Sequence, residues 1–371
     1  MKRIRQQVQA LSAIATLALA ILVITLSLAA IPAEAQTITK FDAPGSKGTV
    51  GLDINTAGTI AGYYGDSVGT GHGFVRTSTG VFTEFSAPGA GTLPGQGTFA
   101  ITINTAGTIA GIVSDTKTIL HGFVRATNGT ITQFNVPGGG TGKNQGTRVS
   151  RMNTAGTVTG DVVDGKGVYH GFVRSASGVI TKFDVPGAGT LGGQGTRTNS
   201  INATGVIAGR YLDSASAMHG FVRATNGTIT KFDAPGAGTG GGQGTEAGTI
   251  NTAGVIAGRY IDSGNVMHAF VRATKGTITE YNAPGAGTGA QQGTSVSSIN
   301  TAGAITGHDL DFGFVSHGYV RAANGTIVVF DVLGGGTGVN QGTFTTSINT
   351  TGAITGWVVD SGSVPHGYVR K

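Results

Sequence analysis

The sequence predicts an all-β fold: a single seven-bladed β-propeller of 49-residue, four-stranded repeats, closed by the N-terminal strand pairing with the last blade. Three observations carry that prediction. A histidine followed by Gly or Ala, an aromatic, Val and Arg recurs at His72, His121, His170, His219, His268, His317 and His366, always 49 residues apart. Each copy divides into four short strand-forming stretches. The stretch Thr37 to Phe41 and the segment ending at Arg370 each supply what the other lacks of one copy. A fixed period of this length marks a repeat architecture.

The copy holding His219 shows the elements in order. Strand A begins at Gln194-Gly195-Thr196 and runs to Ile201-Asn202, where Asn202-Ala203-Thr204-Gly205 has Asn first and Gly fourth, the placement a type I turn favours. Strand B follows as Val206 to Tyr211. After Asp213-Ser214 comes strand C, His219 to Arg223, and Asn226-Gly227 reverses the chain into strand D, Thr228 to Phe232. The next connection, Asp233 to Gly242, is long and poor in strand formers. Neighbouring strands lie about 4.8 Å apart, so such a loop easily crosses four of them. Short turns within a unit and one crossing loop between units describe propeller blades. An open β-solenoid fits the 49-residue unit poorly, and two smaller propellers would need a linker that the sequence lacks. Pairing residues 37 to 41 with His366 to Arg370 closes the ring and covers edges otherwise open to aggregation.

Glycine supplies 67 of 371 residues, about 18% against an average near 7%. Without a three-residue period these glycines exclude collagen, and 39% apolar residues exclude charge-driven disorder. No cysteine is present, so disulfides and thiol chemistry are excluded. The formal charge of +6 is mild, the basic residues are dispersed and Trp357 is the only tryptophan. Neither a polybasic run nor a stacking platform argues for a nucleic-acid partner.

Residues 1–35 read as a signal peptide: Lys2, Arg3 and Arg5, an apolar stretch from Ala10 to Ile31, then Ala33-Glu34-Ala35 as a cleavage pattern. Its removal, which takes away three basic residues and one acidic one, leaves +4 on residues 36–371 and no membrane association. The alternative is a retained anchor, since roughly 20 apolar residues also span a bilayer. The expectation is a secreted monomer, periplasmic or extracellular.

The His-Gly-Phe, His-Gly-Tyr and His268-Ala269-Phe270 triplets, with the Ile-Asn-x-x-Gly-x-Ile-x-Gly pattern of Ile201 to Gly209, resemble the bacterial extracellular HAF repeat family. The resemblance covers essentially all of the chain after residue 35. It departs in carrying glycine for alanine in six copies and Val-Arg where that family often has Leu-Trp. It implies a secreted bacterial repeat protein of propeller type and brings no activity or catalytic residue with it.

Within the repeat, an aspartate stands six residues before each histidine (Asp66, Asp115, Asp164, Asp213, Asp262, Asp311, Asp360) and an arginine four after it (Arg76, Arg125, Arg174, Arg223, Arg272, Arg321, Arg370). Seven identical copies argue against an active site, which needs one asymmetric constellation, and for local hydrogen-bonded hardware. The recurring aromatics from Phe74 to Tyr368 are expected to fill the spaces between blades. Gly73 and its counterparts leave room for close sheet approach, and Gly58 and its counterparts serve turns.

Function is expected where copies differ. If strand A lines the channel, the candidates for its mouth are Asp53, Arg148, Arg151, Arg197 and Glu246, joined from strand B by Asp161, Arg210, Arg259, His308, Asp309 and Trp357. Two function classes follow. One is a non-catalytic binding or scaffolding module for a glycan, cell-wall component or extracellular protein. The other is a glycan hydrolase or lyase. Hydrolysis by paired carboxylates needs two acids roughly 5–10 Å apart, whereas Asp53 and Glu246 lie four blades apart at different heights. No nucleophile elbow, phosphate loop or cofactor motif is present. His308-Asp309 with Asp311 is the single local cluster outside the repeat register, weighed as a metal site against a turn variant; the expectation is no metal and no cofactor.

Overall fold

The computed structural model describes residues 36–371; the signal-peptide reading of residues 1–35 lies outside the described residues. Twenty-eight strands form one continuous sheet system. After β1 (Ile38–Phe41), blade one consists of β2 (Gly48–Ile54), β3 (Ile60–Gly65), β4 (Gly71–Arg76) and β5 (Phe82–Phe85), strands A to D in order. Five further blades repeat this A-to-D order. Blade seven has β26 (Gly342–Ile348), β27 (Ile354–Val359) and β28 (Pro365–Arg370), and β1 is its fourth strand, antiparallel to β28 with Ile38 opposite Arg370 and Phe41 opposite Gly367. The ring is a seven-bladed propeller with non-covalent closure.

The 49-residue unit specifies its own joints. In every blade the strand A threonine (Thr49, Thr98, Thr147, Thr196, Thr245, Thr294, Thr343) is buried and accepts a backbone N–H from the loop that precedes it. Each strand A also carries a β-bulge, as between Gly51 and Asp53, which bends it around the centre. In the A–B turn the fourth-position glycine takes the left-handed conformation (Gly205, φ +90°) and donates to Asn202. The asparagine does more than start the turn. Its Oδ1 caps the chain four residues on, and its Nδ2 donates to the same asparagine's carbonyl in the next blade, as from Asn202 to Asn251 and from Asn349 back to Asn55. Six of the seven such links are made, a belt of buried amides around one mouth of the channel.

Phe74, Phe123, Phe172, Phe221, Phe270, Tyr319 and Tyr368 are fully buried. Each meets the strand D aromatic of the preceding blade edge-on, as in Phe85 with Phe123 and Phe41 with Phe74. The glycine before six of them, replaced by Ala269 before Phe270, has a different role from the expected close sheet approach. A Cβ on Gly73 would lie 2.6 Å from the ring of Phe85, its cross-strand neighbour in the same blade. The missing side chain makes room for an aromatic within the sheet.

One interface differs from the other six. Elsewhere the loop into strand A runs as in Ser86 to Gln96, and its glutamine carbonyl accepts the first N–H of the neighbouring strand C, as from Gly71 to Gln96. A parallel bridge to strand A follows, as Gly71 with Gly97. The loop from blade seven to blade one is only Asp42 to Lys47, five residues shorter. Pro365, which has no N–H, begins strand C there. Among the described residues no bridge joins β28 to β2, so the seam between blades seven and one lacks this layer.

Candidate functional site

The candidate residues fall into two levels of the channel and one place outside it. At the mouth ringed by the asparagines, a cavity of about 220 Å³ is lined by the column Asp53, Thr102, Arg151, Ser200, Thr249, Ser298 and Ser347. Asp53 is thoroughly engaged there. It accepts from the hydroxyls of Thr102 (2.8 Å) and Ser347 (2.7 Å) and the N–H groups of Ile54 and Ile103, and Arg151 reaches it from two blades away at 3.4 Å. An acid held by three other blades is a clasp across the channel rather than a free catalytic group.

Toward the opposite ends of the strands, each A–B pair contributes two facing residues. Around the ring these are Val50 with Tyr63, Phe99 with Ile112, Arg148 with Asp161, Arg197 with Arg210, Glu246 with Arg259, Ser295 with His308 and Phe344 with Trp357. Blades three to five make a charged arc, and blades six, seven, one and two an aromatic and apolar arc. Eight of the candidate residues, Arg148, Asp161, Arg197, Arg210, Glu246, Arg259, His308 and Trp357, share this level.

Within the charged arc, Glu246 is buried, which by itself raises its pKa, but Arg210 and Arg259 outweigh that and hold it down at about 2. Arg210 Nη1 and Arg259 Nε (3.0 Å) donate to its two oxygens, and the bulged Asn199 donates to it as well. Arg259 continues to the Ser295 hydroxyl at 3.3 Å. Asp161 is also buried, and burial raises it to about 6 even though Arg197, Arg148 and Arg210 oppose the rise. Its closest ion pair is Arg148 Nε at 3.7 Å. The Arg197 guanidinium rests over the Tyr169 ring of the preceding blade, 4.3 Å from its centroid. In the aromatic arc, burial pushes His308 down to about 4, with Arg259 adding to it, so the ring is neutral beside Phe344. Phe344 stacks on Trp357 at 5.3 Å, nearly parallel.

Asp309 corrects the expectation that it shares a channel-mouth site with His308. Successive strand residues face opposite sides of a sheet, so Asp309 points away from His308 into a slot between blades. Tyr64, Tyr211, Tyr260, Val113, Val162 and Val358 occupy that column elsewhere. Asp309 is 1% exposed, and neither carboxylate oxygen has a hydrogen-bond partner. Burial raises its pKa to about 7. Among the described residues no group of three or more His, Asp or Glu is arranged to hold a metal ion.

The seven-fold residues lie on the outer part of the blades. In the B–C turn, Asp66 Oδ1 accepts the N–H groups of Val68 and Thr70 while Oδ2 faces His72 Nε2 at 3.3 Å. The pairing recurs for Asp115, Asp164, Asp213, Asp262, Asp311 and Asp360 with their histidines at 3.3–3.5 Å. The histidine Nδ1 meets the residue following strand D: Ser86, Asn135, Asp184, Asp233, Asn282 or Asp331, and Asp42 for His366. Each arginine lies over the strand D aromatic of the preceding blade, 4.6–4.8 Å from the centroid, from Arg76 on Phe41 to Arg370 on Phe330.

Reading by charge missed Tyr63, Phe99, Phe344 and Asn199. The signal that finds them is the column: at 49-residue spacing Tyr63 aligns with Arg210 and Trp357, and Phe99 and Phe344 align with Glu246.

No family model and no curated protein matches the chain. Among solved structures it is similar to the BP39L lectin from Burkholderia pseudomallei, with TM-score 0.54 at 9% identity over 87% of this chain and 95% of that one. It is also similar to puromycin hydrolase, with TM-score 0.52 at 10% identity over 88% of this chain and 53% of that one, so it spans about half the hydrolase's length. At these identities the likeness shows the β-propeller fold alone.

Proposed function

We propose that the protein is a non-catalytic binding propeller whose ligand is a glycan, acting outside the cell after export by residues 1–35. The observation that carries this reading is the level of the channel on which the copies diverge most, where one arc presents arginines and the other aromatic rings. Aromatic faces with a few placed polar groups are the composition of a ligand site. The acids at the channel serve the protein itself: Glu246 is neutralised by two arginines, Asp53 by Arg151 and its hydroxyl partners, and Asp161 lies beside Arg148. Asp161, raised to about 6, is the one channel acid at this level placed to take up a proton near neutrality, but Glu246 stands two blades away and is bound by its arginines, so the two do not make the close carboxylate pair that hydrolysis needs. The BP39L protein, which shares the fold, is a lectin, and this agrees with the glycan reading; the HAF resemblance agrees with an extracellular setting. A thermal-shift screen of residues 36–371 against cell-wall and plant glycans tests it. A ligand at a hundred times its Kd raises stability by about 2.7 kcal/mol; a flat result for every glycan beside a shift with a protein partner would refute the glycan assignment.

A further inference from the structure

The seam between blades seven and one holds a cavity of about 580 Å³, its walls including Tyr63, Asn340, Trp357, Ser363 and Pro365. Its origin is the five-residue deficit in the loop from Asp42 to Lys47. At the other interfaces the longer loop lies over this position. Gly95 there donates to Gly69, and Gln96 accepts from Gly71. At the seam the loop is short and Pro365 offers no N–H, so two departures from the repeat fall at one interface and leave the same space open. Two of the aromatic residues at the variable level, Tyr63 and Trp357, line that space from its two sides. Trp357 has one face covered by Phe344, and Tyr63 makes a T-shaped pair with Phe99 at 5.0 Å, so both rings are braced. Among the described residues nothing hydrogen-bonds the Tyr63 hydroxyl or the Trp357 Nε1–H. Asn340 and Ser363 add an amide and a hydroxyl, both on residues held at positive φ (+60° and +62°).

We propose that this seam cleft is a saccharide site taking one pyranose ring, which rests on the proposal that the propeller binds glycans and locates it. The chemistry selects that class. A pyranose has an apolar C–H face that packs on an indole or phenol ring and an equator of hydroxyls that need donors and acceptors. Flat, braced rings give up little rotamer freedom on binding, and the Tyr63 hydroxyl, Trp357 Nε1–H, Asn340 amide and Ser363 hydroxyl supply the polar partners. A purely apolar ligand would leave the Tyr63 hydroxyl and the Trp357 Nε1–H without a partner, at a cost for each, whereas the Ser363 hydroxyl also accepts from Gln341 Nε2 at 3.3 Å. The volume lies within the roughly 300–1,000 Å³ range of small-molecule sites. The other six interfaces have the covering loop, so the proposal gives one site per chain.

Trp357 is the only tryptophan, so indole emission excited beyond the tyrosine band reports on the surroundings of this one side chain, and the Asn340 variant, away from the channel level, tells the cleft from the channel. The experiment titrates residues 36–371, which close on themselves through β1 and β28, with a panel of methyl pyranosides and short oligosaccharides, following Trp357 emission and calorimetric heat together. The expected result is a saturable emission change with a stoichiometry of one for at least one sugar, weakened tenfold or more in Tyr63→Ala. Asn340→Gly suits the positive φ and leaves the fold undisturbed; it is expected to weaken the same sugar severalfold. Calorimetric binding with unchanged emission, and with both variants binding as the parent does, overturns the seam site and leaves glycan binding standing elsewhere on the ring. Absence of heat and of emission change for every sugar overturns the seam site together with the glycan reading. An emission change produced by a hydrophobic dye such as anilinonaphthalene sulfonate but by no sugar overturns the ligand class.

Discussion

At the level of single residues the repeat is its own control, because each position has six internal counterparts in the same fold. Asp309 is the clearest departure. It places a carboxyl with no hydrogen-bond partner in a column otherwise filled by Tyr or Val. Asp309→Val removes that burden and is expected to stabilise the protein by about 1–3 kcal/mol in urea unfolding. The sign of its pH dependence follows from burial. An acid raised to about 7 in the folded state holds a proton that the unfolded chain releases near pH 4, so stability falls as pH rises from about 4 to about 7. His317, raised by its contacts with Asp331, Asp309 and Asp311 against the opposing effect of burial, contributes in the same direction, its stabilisation being lost as pH rises past its folded value. The gain from Asp309→Val is therefore expected to be larger at pH 8 than at pH 5, and an equal gain at both would refute the assignment. At the regular positions, His219→Ala is expected to cost about 1–3 kcal/mol and Phe123→Ala about 3–5 kcal/mol. Unchanged urea midpoints would remove these residues from the structural account.

Among the elements, the strands and turns were legible in one copy of the sequence, because Asn-x-x-Gly, Asn-Gly and the alternating apolar residues state turn type and strand period locally. Side-chain direction was less so. His308 and Asp309 are neighbours in sequence and suggest one cluster, yet the phase of strand B sends them to opposite faces, and only the register with strand A fixes that phase. The glycine before six of the seven buried aromatics was recognisable as a space-maker, while the occupant of the space, a ring from strand D, depends on cross-strand pairing twelve residues away. The seam was hidden for another reason. The short loop and Pro365 lie at opposite ends of the sequence, and their coincidence appears only when the ring closes. Six interfaces have a strand C to strand A bridge and the seventh does not, among the described residues. Amides of β1 and β28 are therefore expected to exchange with deuterium before those of the corresponding strands in blade four. Uniform exchange around the ring would show the seam to be as firm as the rest.

For the whole molecule, seven near-identical blades supply a rigid ring and leave function to the columns that vary. The fold was readable because its evidence is repeated seven times; the site was only partly readable because no residue type fills either of its two facing columns in more than two of the seven copies. Asp53, Arg151, Glu246 and the other charged candidates were found by their rarity in a chain that is 11% charged, whereas Tyr63 and Phe99 were hidden among ordinary aromatics. The channel combines arginines, of which Arg210 and Arg259 are committed to Glu246 while Arg197 lies over Tyr169, with braced aromatic rings on the other arc, an arrangement suited to holding a ligand and lacking a close pair of free carboxylates. The central claim is binding without turnover. The most direct test titrates residues 36–371 calorimetrically with the glycans that shift the melting temperature, then recovers each ligand after prolonged incubation and measures its mass and reducing ends. The account predicts saturable heat and an unchanged ligand; shorter products, unsaturated sugars or new reducing ends would contradict it and make the propeller an enzyme.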